Sequence, residues 1–170
     1  SGDLTPLSYL AAVLAGEREA YCNGEIVPAG EALARAGLRP HAFEAKESLA
    51  VMNGTAVMTA LGALTAGRLA NTLAAGERAS ALAVEVLQGR SLAFHPTAHR
   101  LKPHPGQEAS AAAIRSALEG SGLVDSGPGE ARMVQDPYSL RCAPHVLGDP
   151  RDALAWAGRV LEAELNSVND

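Results

Sequence analysis

The sequence predicts an all-α fold, a bundle of long helices with one small β-hairpin near residues 20–27. Three observations support this expectation. Aromatic residues make up only 4% of the 170 residues, and hydrophobic residues make up 47%, a composition that favours helices packed through small aliphatic side chains. Residues 55–87 have helical periodicity with almost no breaker except glycine. Asn23–Gly24 lies between two short half-apolar stretches, which is the strongest local signal for a hairpin.

The elements in the first third of the chain follow from helix start and stop signals. Thr5–Pro6 predicts an N-cap followed by proline at the first helical position, and this helix should end at Gly16. After the hairpin we expect a short helix that is closed by Gly37 in the left-handed conformation. Residues 44–52 predict another short helix, which Asn53–Gly54 interrupts.

The rest of the chain is expected to consist of helices joined by loops. The stretch 55–87 predicts one long helix, or two end to end, largely buried among other helices. Three prolines and three histidines indicate an ordered loop over 91–106, and a helix should follow over 107–120. Residues 121–132 predict a mobile loop, and Asp149–Pro150 should cap the last helix. The helices are apolar on more than one face, so we expect them to pack against further chain or other subunits.

Composition argues against several kinds of partner. The net charge is −5 and no basic run is present, so neither nucleic acid nor an anionic membrane is expected as a partner. No run of about eighteen apolar residues occurs, so no membrane span is expected. Cys22 and Cys142 lie far apart without metal or redox spacing, which indicates two reduced thiols in a cytoplasmic protein.

Three closely spaced histidines raise the possibility of a metal site. His95 and His99 are four residues apart, and His104 follows them. On a helix such spacing could ligate zinc, but Pro96 lies between the first two and prolines flank the third. We therefore expect structural histidines in a packed loop and no bound metal.

Polar clusters interrupt the apolar pattern at three places, over residues 1–4, 52–55 and 134–141. Each brings amide, hydroxyl or charged groups to an expected helix end. Taken alone, Asp3 is explained by a role as a helix cap, and Asn53–Gly54 by a turn.

The cluster at 134–141 has the side chains best suited to chemistry. Gln135 offers a donor and an acceptor, Tyr138 a phenol, and Arg141 a planar guanidinium that suits a carboxylate. If Pro137 starts a helix, the tyrosine and arginine are three residues apart and face the same way. The plainer interpretation, that Arg141 pairs with a nearby acid and Tyr138 caps a core, is favoured by the residues alone.

Taken together, the clusters and their flanks resemble the aromatic amino acid ammonia-lyases, a family that includes histidine, phenylalanine and tyrosine ammonia-lyases and related aminomutases. The similar motifs run over the whole chain in the family's order and read "SGDLTPL", "KESLAVMNGTAVMT", "FHPTAHRLKPHPGQ", "VQDPYSLRCAPHVLG" and "ELNSVND". The resemblance implies that residues 1–170 are an internal segment of the family's helical domain.

The resemblance also implies a prosthetic group. In this family an internal Ala-Ser-Gly cyclises into the electrophile 4-methylidene-imidazol-5-one (MIO), and Ser1–Gly2 match the last two residues of that triplet, which makes them predicted catalytic residues. Glycine suits this chemistry because a backbone nitrogen must closely approach a carbonyl two residues back. The sequence holds no alanine before Ser1 and none of the family's upstream tyrosine base. We therefore expect that the group cannot form in this segment and that the segment alone is inactive.

The resemblance implies roles for five further residues. Asn53 would hydrogen-bond near the prosthetic ring and the substrate carboxylate. Arg141 would bind that carboxylate in the bidentate geometry that arginine favours. Gln135 and Tyr138 would line the site, and Leu4 would lie near the substrate side chain.

The sequence leaves the substrate open. The stretch "VQDPYSLRC" resembles histidine ammonia-lyases, whereas "MNGTAVMT" and "KPHPGQ" look more like the phenylalanine and tyrosine members, and the aminomutases share most of these motifs. We favour the histidine type, which converts L-histidine to urocanate and ammonia. The family also implies a homotetramer assembled through long helices. The alternative from another class is a non-catalytic helical oligomerisation domain, in which the polar clusters are only caps and turns.

Overall fold

A computed structural model describes residues 2–127 and 134–168 of the chain. These residues form two compact units. The first unit holds the N-terminal stretch up to Ala63 together with the residues from Leu161 onward, and the second holds Leu64–Val160. Helices predominate, and the strands of the described residues form one two-stranded antiparallel sheet. The predicted all-α class with one small hairpin is confirmed.

The bounds of the elements are as follows. The helices are α1 (Leu4–Leu14), α2 (Ala29–Arg35), α3 (Glu47–Met52), α4 (Ala56–Val86), α5 (Pro96–Arg100), α6 (Pro105–Ala117), α7 (Tyr138–Arg141) and α8 (Ala143–Leu165). The strands are β1 (Glu19–Cys22) and β2 (Glu25–Pro28), and a 3-10 helix spans Ser91–Phe94. The stretch for which the sequence left one or two helices open is therefore the single helix α4.

The hairpin of the first unit forms where Asn23–Gly24 predicted it. Strands β1 and β2 pair in antiparallel register, with Cys22 opposite Glu25. Both turn residues have positive φ, 51° for Asn23 and 94° for Gly24. A two-residue type I′ turn requires this combination, so local chemistry is sufficient to specify the element.

One apolar cluster forms the core of the second unit. Its buried members are Ala81, Val84, Phe94, Ile114, Leu118, Leu140 and Ala143. They come from α4, the 3-10 helix, the α6 region, α7 and the start of α8. The cluster therefore holds the short helix α7, which bears two of the predicted site residues, against the long helices.

The prediction of a loop over residues 91–106 was wrong, since this stretch is mostly helical. The buried side chain of Phe94 anchors the 3-10 helix in the core. Pro96 and Pro105 are the first residues of α5 and α6, where a missing N–H carries no penalty. The side chain of His95 accepts a hydrogen bond from the N–H of Thr97 and so caps α5.

Helix α8 runs through Pro150, so the predicted helix start there was wrong. Proline removes the donor that would have bonded the carbonyl of Val146, and Val146 is exposed, so water can satisfy that carbonyl. The first half of α8 is held against α6. A Cβ on Gly106 would overlap the carbonyl oxygen of Gly148, and the Asp152 carboxylate accepts a hydrogen bond from Gly106 N–H at 2.7 Å. This close packing overrides the local break.

Helix α4 exposes much of its apolar surface. Leu64, Leu69 and Leu82 are exposed, although the sequence predicted a largely buried helix. By length and composition alone, the helical stretch Glu47–Val86 could cross a membrane, in contrast to the sequence-based expectation, although core helices of water-soluble proteins meet the same criterion. That further chain or other subunits cover this face stays a prediction.

Of the three histidines considered for a metal, His99 has protein partners on both ring nitrogens. Its Nε2 lies 2.9 Å from the carbonyl oxygen of Ala93, and its Nδ1 lies 2.9 Å from Nε2 of Gln107. A carbonyl oxygen only accepts, so Nε2 carries the proton and Nδ1 accepts from the amide. His99 is therefore a buried structural residue, since both ring nitrogens have partners within the protein. In the ranges that the structure describes, no three His, Cys, Asp or Glu side chains are grouped to hold a metal ion.

His145, next to His99, links folding to pH. The centres of the two rings are 5.7 Å apart. Burial lowers the pKa of His145 below its ordinary 6.5, the positive charge of Lys102 lowers it further, and the carboxylate of Asp149 opposes these effects. A histidine with a lowered pKa in the folded state contributes stability above its unfolded pKa, and this contribution is lost as the pH falls through the folded pKa.

We therefore expect the full-length protein to lose thermal stability below about pH 6.5 and His145→Gln to lose less of it, because that variant lacks the group that must be charged while buried. Thermal midpoints measured at steps from neutral to mildly acidic pH test this expectation. His104→Gln, at an exposed position, is the matched control and should follow the wild type. If both variants show the wild-type pH dependence, His145 is not the group responsible.

Candidate active site

The first part of the candidate site is the contact between Gly2–Asp3 and the turn that follows α3. Gly2 has a left-handed backbone with φ +56°, and a Cβ built on it would overlap the carbonyl oxygen of Gly54. The N–H of Asp3 donates a hydrogen bond to that same oxygen at 3.0 Å. Only glycine fits at position 2, because a side chain there would collide with backbone and not with a movable side chain.

Asp3 connects this contact to the long helix α4. It occupies the N-cap position of α1, which begins at Leu4 and not after Thr5 as predicted, but its side chain makes no capping bond there. Its Oδ2 instead accepts a hydrogen bond from the N–H of Met58 at 2.7 Å. That N–H belongs to the first turn of α4, where backbone donors lack partners within the helix. Asp3 is therefore a helix cap, as its residue type indicated, but it caps a helix that is remote in sequence.

Asn53 lies at the end of α3, directly before Gly54, whose carbonyl oxygen contacts Gly2 and accepts the N–H of Asp3. It is half-buried, and its N–H donates to the carbonyl of Leu49 at 2.8 Å. Leu4, the first residue of α1, is 43% exposed. The structure thus places Gly2, Leu4 and Asn53 in one neighbourhood of the first unit, whereas Ser1 lies outside the described residues.

The second part of the candidate site is the single helical turn α7. The guanidinium carbon of Arg141 lies 4.7 Å from the centre of the Tyr138 ring, a cation–π distance. The two side chains therefore share a face, as their spacing predicted. A hydrogen bond with the Cys142 thiol raises the pKa of Tyr138 above its ordinary value. The phenol therefore stays protonated at neutral pH.

Arg141 and Gln135 line a cavity of about 300 Å³ in the second unit. The residues that line it with them are Arg90, Leu92, Ala93, Val134 and Asp136. Nε of Arg141 is buried and has no hydrogen-bond partner among the described residues. Leaving a buried charged donor unpaired is costly, so the arrangement suits a ligand that brings an acceptor such as a carboxylate. A larger cavity of about 500 Å³, lined in part by Arg115 and Glu119, contains none of the predicted site residues.

The plainer interpretation was that Arg141 forms an ion pair with a nearby acid. In the described part of the chain Arg141 forms no such ion pair. Its partner is the Tyr138 ring instead. Gln135, Tyr138 and Arg141 are thus close together in the second unit, and Gly2, Leu4 and Asn53 in the first. That these two groups converge on one active site stays a prediction.

Two residues that hold the cavity wall, Arg90 and Asp136, were not predicted from the sequence. The N–H of Arg90 donates to Oδ2 of Asp136 at 2.6 Å, and Nη1 of Arg90 donates to the carbonyl of Val134 at 2.6 Å. An aspartate directly before Pro137 is a turn signal that could have drawn attention to position 136. No local signal marks Arg90, which is remote in sequence.

Comparison with known proteins gives a consistent result. Residues 1–170 match the family described as "Aromatic amino acid lyase". Histidine ammonia-lyase of Gloeobacter violaceus is 50% identical over 170 residues, which are 100% of this chain and 33% of that protein. The enzyme of the same name from Sorangium cellulosum is 47% identical over the same shares. The crystal structure of tyrosine aminomutase from Streptomyces globisporus is 37% identical with a TM-score of 0.88, over 99% of this chain and 36% of that one. The chain therefore spans about a third of the length of the curated relatives it matches.

Proposed function

This chain belongs to the aromatic amino acid lyase family, and from that premise we propose that it is an internal segment of a histidine ammonia-lyase, a carbon–nitrogen lyase that converts L-histidine to urocanate and ammonia. The observation that supports this most directly is the contact of Gly2 with Gly54, where no residue but glycine fits. Identity of 50% to a histidine ammonia-lyase over the whole segment supports the choice of substrate.

The backbone of Gly2 fits the family's prosthetic group, MIO, which Ser1 and Gly2 would form with a preceding alanine in the full-length protein. A left-handed glycine without a Cβ lets backbone atoms approach closely, as cyclisation requires. The hydrogen bond from Asp3 N–H to Gly54 holds the backbone on one side of this position. When present, the group supplies an electron-poor alkene that accepts the substrate amine and turns it into a better leaving group.

The chain's own side chains bind and orient the substrate. Arg141 binds the carboxylate, because its buried Nε lacks an acceptor and its guanidinium offers bidentate geometry. The Tyr138 ring holds the guanidinium through the cation–π contact at 4.7 Å. Gln135 contributes an amide to the same cavity. Asn53 hydrogen-bonds near the prosthetic ring and the carboxylate, and Leu4 contacts the substrate side chain.

We further propose that the full-length enzyme is a cytoplasmic homotetramer. The exposed apolar surface of α4 favours burial against other subunits. A phenylalanine or tyrosine ammonia-lyase, or an aminomutase, is the alternative, and the likeness to a tyrosine aminomutase structure favours it. A non-catalytic oligomerisation domain is the alternative from another class, and the same exposed surface favours it.

The test is an assay of the purified full-length protein with L-histidine, L-phenylalanine and L-tyrosine. We expect L-histidine to be turned over fastest, with the absorbance of urocanate appearing as ammonia is released. Turnover of L-phenylalanine or L-tyrosine in its place, or formation of a β-amino acid, would assign the alternative enzymes. If none of the three amino acids is turned over, the proposal that the protein is an aromatic amino acid lyase is refuted.

Arg141→Lys is the matched variant for this assay. It keeps a positive charge but loses the planar pair of donors, so we expect KM for L-histidine to rise about 10- to 100-fold. Arg115→Lys makes the same exchange in the larger cavity, which holds no predicted site residue, and should leave KM unchanged. A KM that responds equally to both exchanges would contradict the role of Arg141.

A further inference from the structure

The turn that ends α4 is a junction for two other segments of the second unit. Gly89 is buried, and its N–H donates to the carbonyl of Val84 at 2.7 Å. Its own carbonyl accepts from the N–H of Asp125 at 2.9 Å. The Asp125 carboxylate bonds Ser91 twice, to the hydroxyl at 2.6 Å and to the N–H at 3.2 Å. One side of the turn thus holds the segment around residue 125.

The other side of the same turn holds the segment that leads into α7. The Asp136 carboxylate accepts from Arg90 N–H at 2.6 Å, and the Arg90 side chain reaches back to the carbonyl of Val134 at 2.6 Å. The two residues therefore bind each other's backbone segments reciprocally. The donor to the Asp136 carboxylate is the backbone N–H of Arg90, which is fixed in the turn after α4. This bond therefore ties Asp136 to the end of α4 and not to the end of a flexible side chain. The hydrogen bonds that Arg90 makes with Asp136 and with the carbonyl of Val134 are together called the clasp.

The clasp is close to the groups proposed to bind substrate. Arg90, Asp136, Gln135 and Arg141 line one cavity. Only Pro137 separates Asp136 from α7, and the carbonyl of Pro137 accepts from the N–H of Arg141 at 3.2 Å. On its inner side α7 is fixed by the buried Leu140. The clasp is the corresponding restraint at its N-terminal end.

We infer that Asp136 is a positioning residue for Arg141: by holding the end of α4 it sets the place and direction of α7, and thereby the guanidinium that meets the substrate carboxylate. This inference rests on the role proposed above for Arg141. A one-turn helix has little stability of its own, so its direction depends on the restraints at its two ends. Loss of the clasp should therefore weaken recognition of the carboxylate more than recognition of the rest of the substrate.

The test compares ligands with and without a carboxylate in the full-length enzyme. For Asp136→Ala we expect KM for L-histidine to rise roughly tenfold, while the inhibition constant of histamine, which lacks the carboxylate, changes by less than about twofold. Asp136→Asn keeps an oxygen that can accept from Arg90 N–H and should restore near-normal KM. Asp125→Ala is the control, since it removes a carboxylate from the same turn on the side that does not lead to α7.

The inference would be overturned if Asp136→Ala raised both KM for L-histidine and the inhibition constant of histamine, or raised neither. It would also be overturned if Asp125→Ala raised KM in the same selective way. If the wild type turns over another aromatic amino acid, the proposed substrate is wrong, and the comparison is made with that amino acid and its decarboxylated amine. Hydrogen exchange gives a readout that needs no turnover. We expect faster exchange in α7 for Asp136→Ala but not for Asp136→Asn or Asp125→Ala, and unchanged exchange in α7 would also overturn the inference.

Discussion

Replacing Gly2 with alanine in the full-length protein is expected to reduce amino acid turnover at least about a thousandfold, which corresponds to about 4 kcal/mol of transition-state stabilisation. The added methyl group would overlap the carbonyl oxygen of Gly54. That oxygen also accepts the N–H of Asp3, whose carboxylate caps α4 through Met58. Relieving the overlap therefore has to displace the turn at Gly54, which is tied to Asp3 and, through Asp3, to α4. This displacement would occur where the prosthetic group is proposed to form.

The control for this variant is Gly37→Ala. Gly37 also has a left-handed backbone, with φ +73°, but no atom lies within 4 Å of the place of its Cβ. The two variants share the cost of a left-handed alanine, about 1–2 kcal/mol, and only Gly2→Ala adds the collision. We expect Gly37→Ala to keep its activity, and circular dichroism should show folded protein in both. An active Gly2→Ala enzyme would exclude position 2 from the prosthetic group.

Elements with a local cause could be predicted from the sequence. The hairpin forms because Asn23–Gly24 adopts positive φ at both turn residues. Helix α2 ends as predicted, since Gly37 N–H bonds the carbonyl of Ala34 and Leu38 N–H bonds that of Leu33, a Schellman arrangement. In both cases residues a few positions apart supply all the partners.

Elements with a distant cause could not be predicted in this way. Pro150 is a local helix breaker, but the packing of Gly148 on α6 keeps α8 continuous. The sequence indicated Asp3 as a cap, but only the structure shows that the capped N–H belongs to Met58.

The candidate site likewise has features with a local cause, which the sequence predicts, and features with a distant cause, which it does not. The spacing of Tyr138 and Arg141 predicted a shared face, and the structure confirms it. The motif that identified them could not show what holds them in place. Asp136 and Arg90 meet only after the chain has folded back on itself, so their role has no local signature.

A second large effect is expected at the ion pair between Glu77 on α4 and Arg151 on α8. The pair is bidentate, with Nε to Oε1 at 2.6 Å and Nη2 to Oε2 at 2.7 Å. The side chain of Glu77 is 4% exposed and that of Arg151 33% exposed. The glutamate raises the pKa of Arg151 above its ordinary value. The two partners differ in their access to water, so their removal should have unequal consequences.

Arg151→Met should therefore destabilise the second unit by about 3–5 kcal/mol, because it leaves the Glu77 carboxylate buried without a partner. Glu77→Met should cost less, since the long side chain of Arg151 can turn its charge to water. The double variant should recover most of the loss, because two apolar side chains of similar volume replace the pair and no buried charge remains. Hydrogen exchange of the slowest amides in α4 and α8 of the full-length protein measures these differences. Equal losses in the single variants, or additive losses in the double variant, would show that burial of the Glu77 charge does not control stability here.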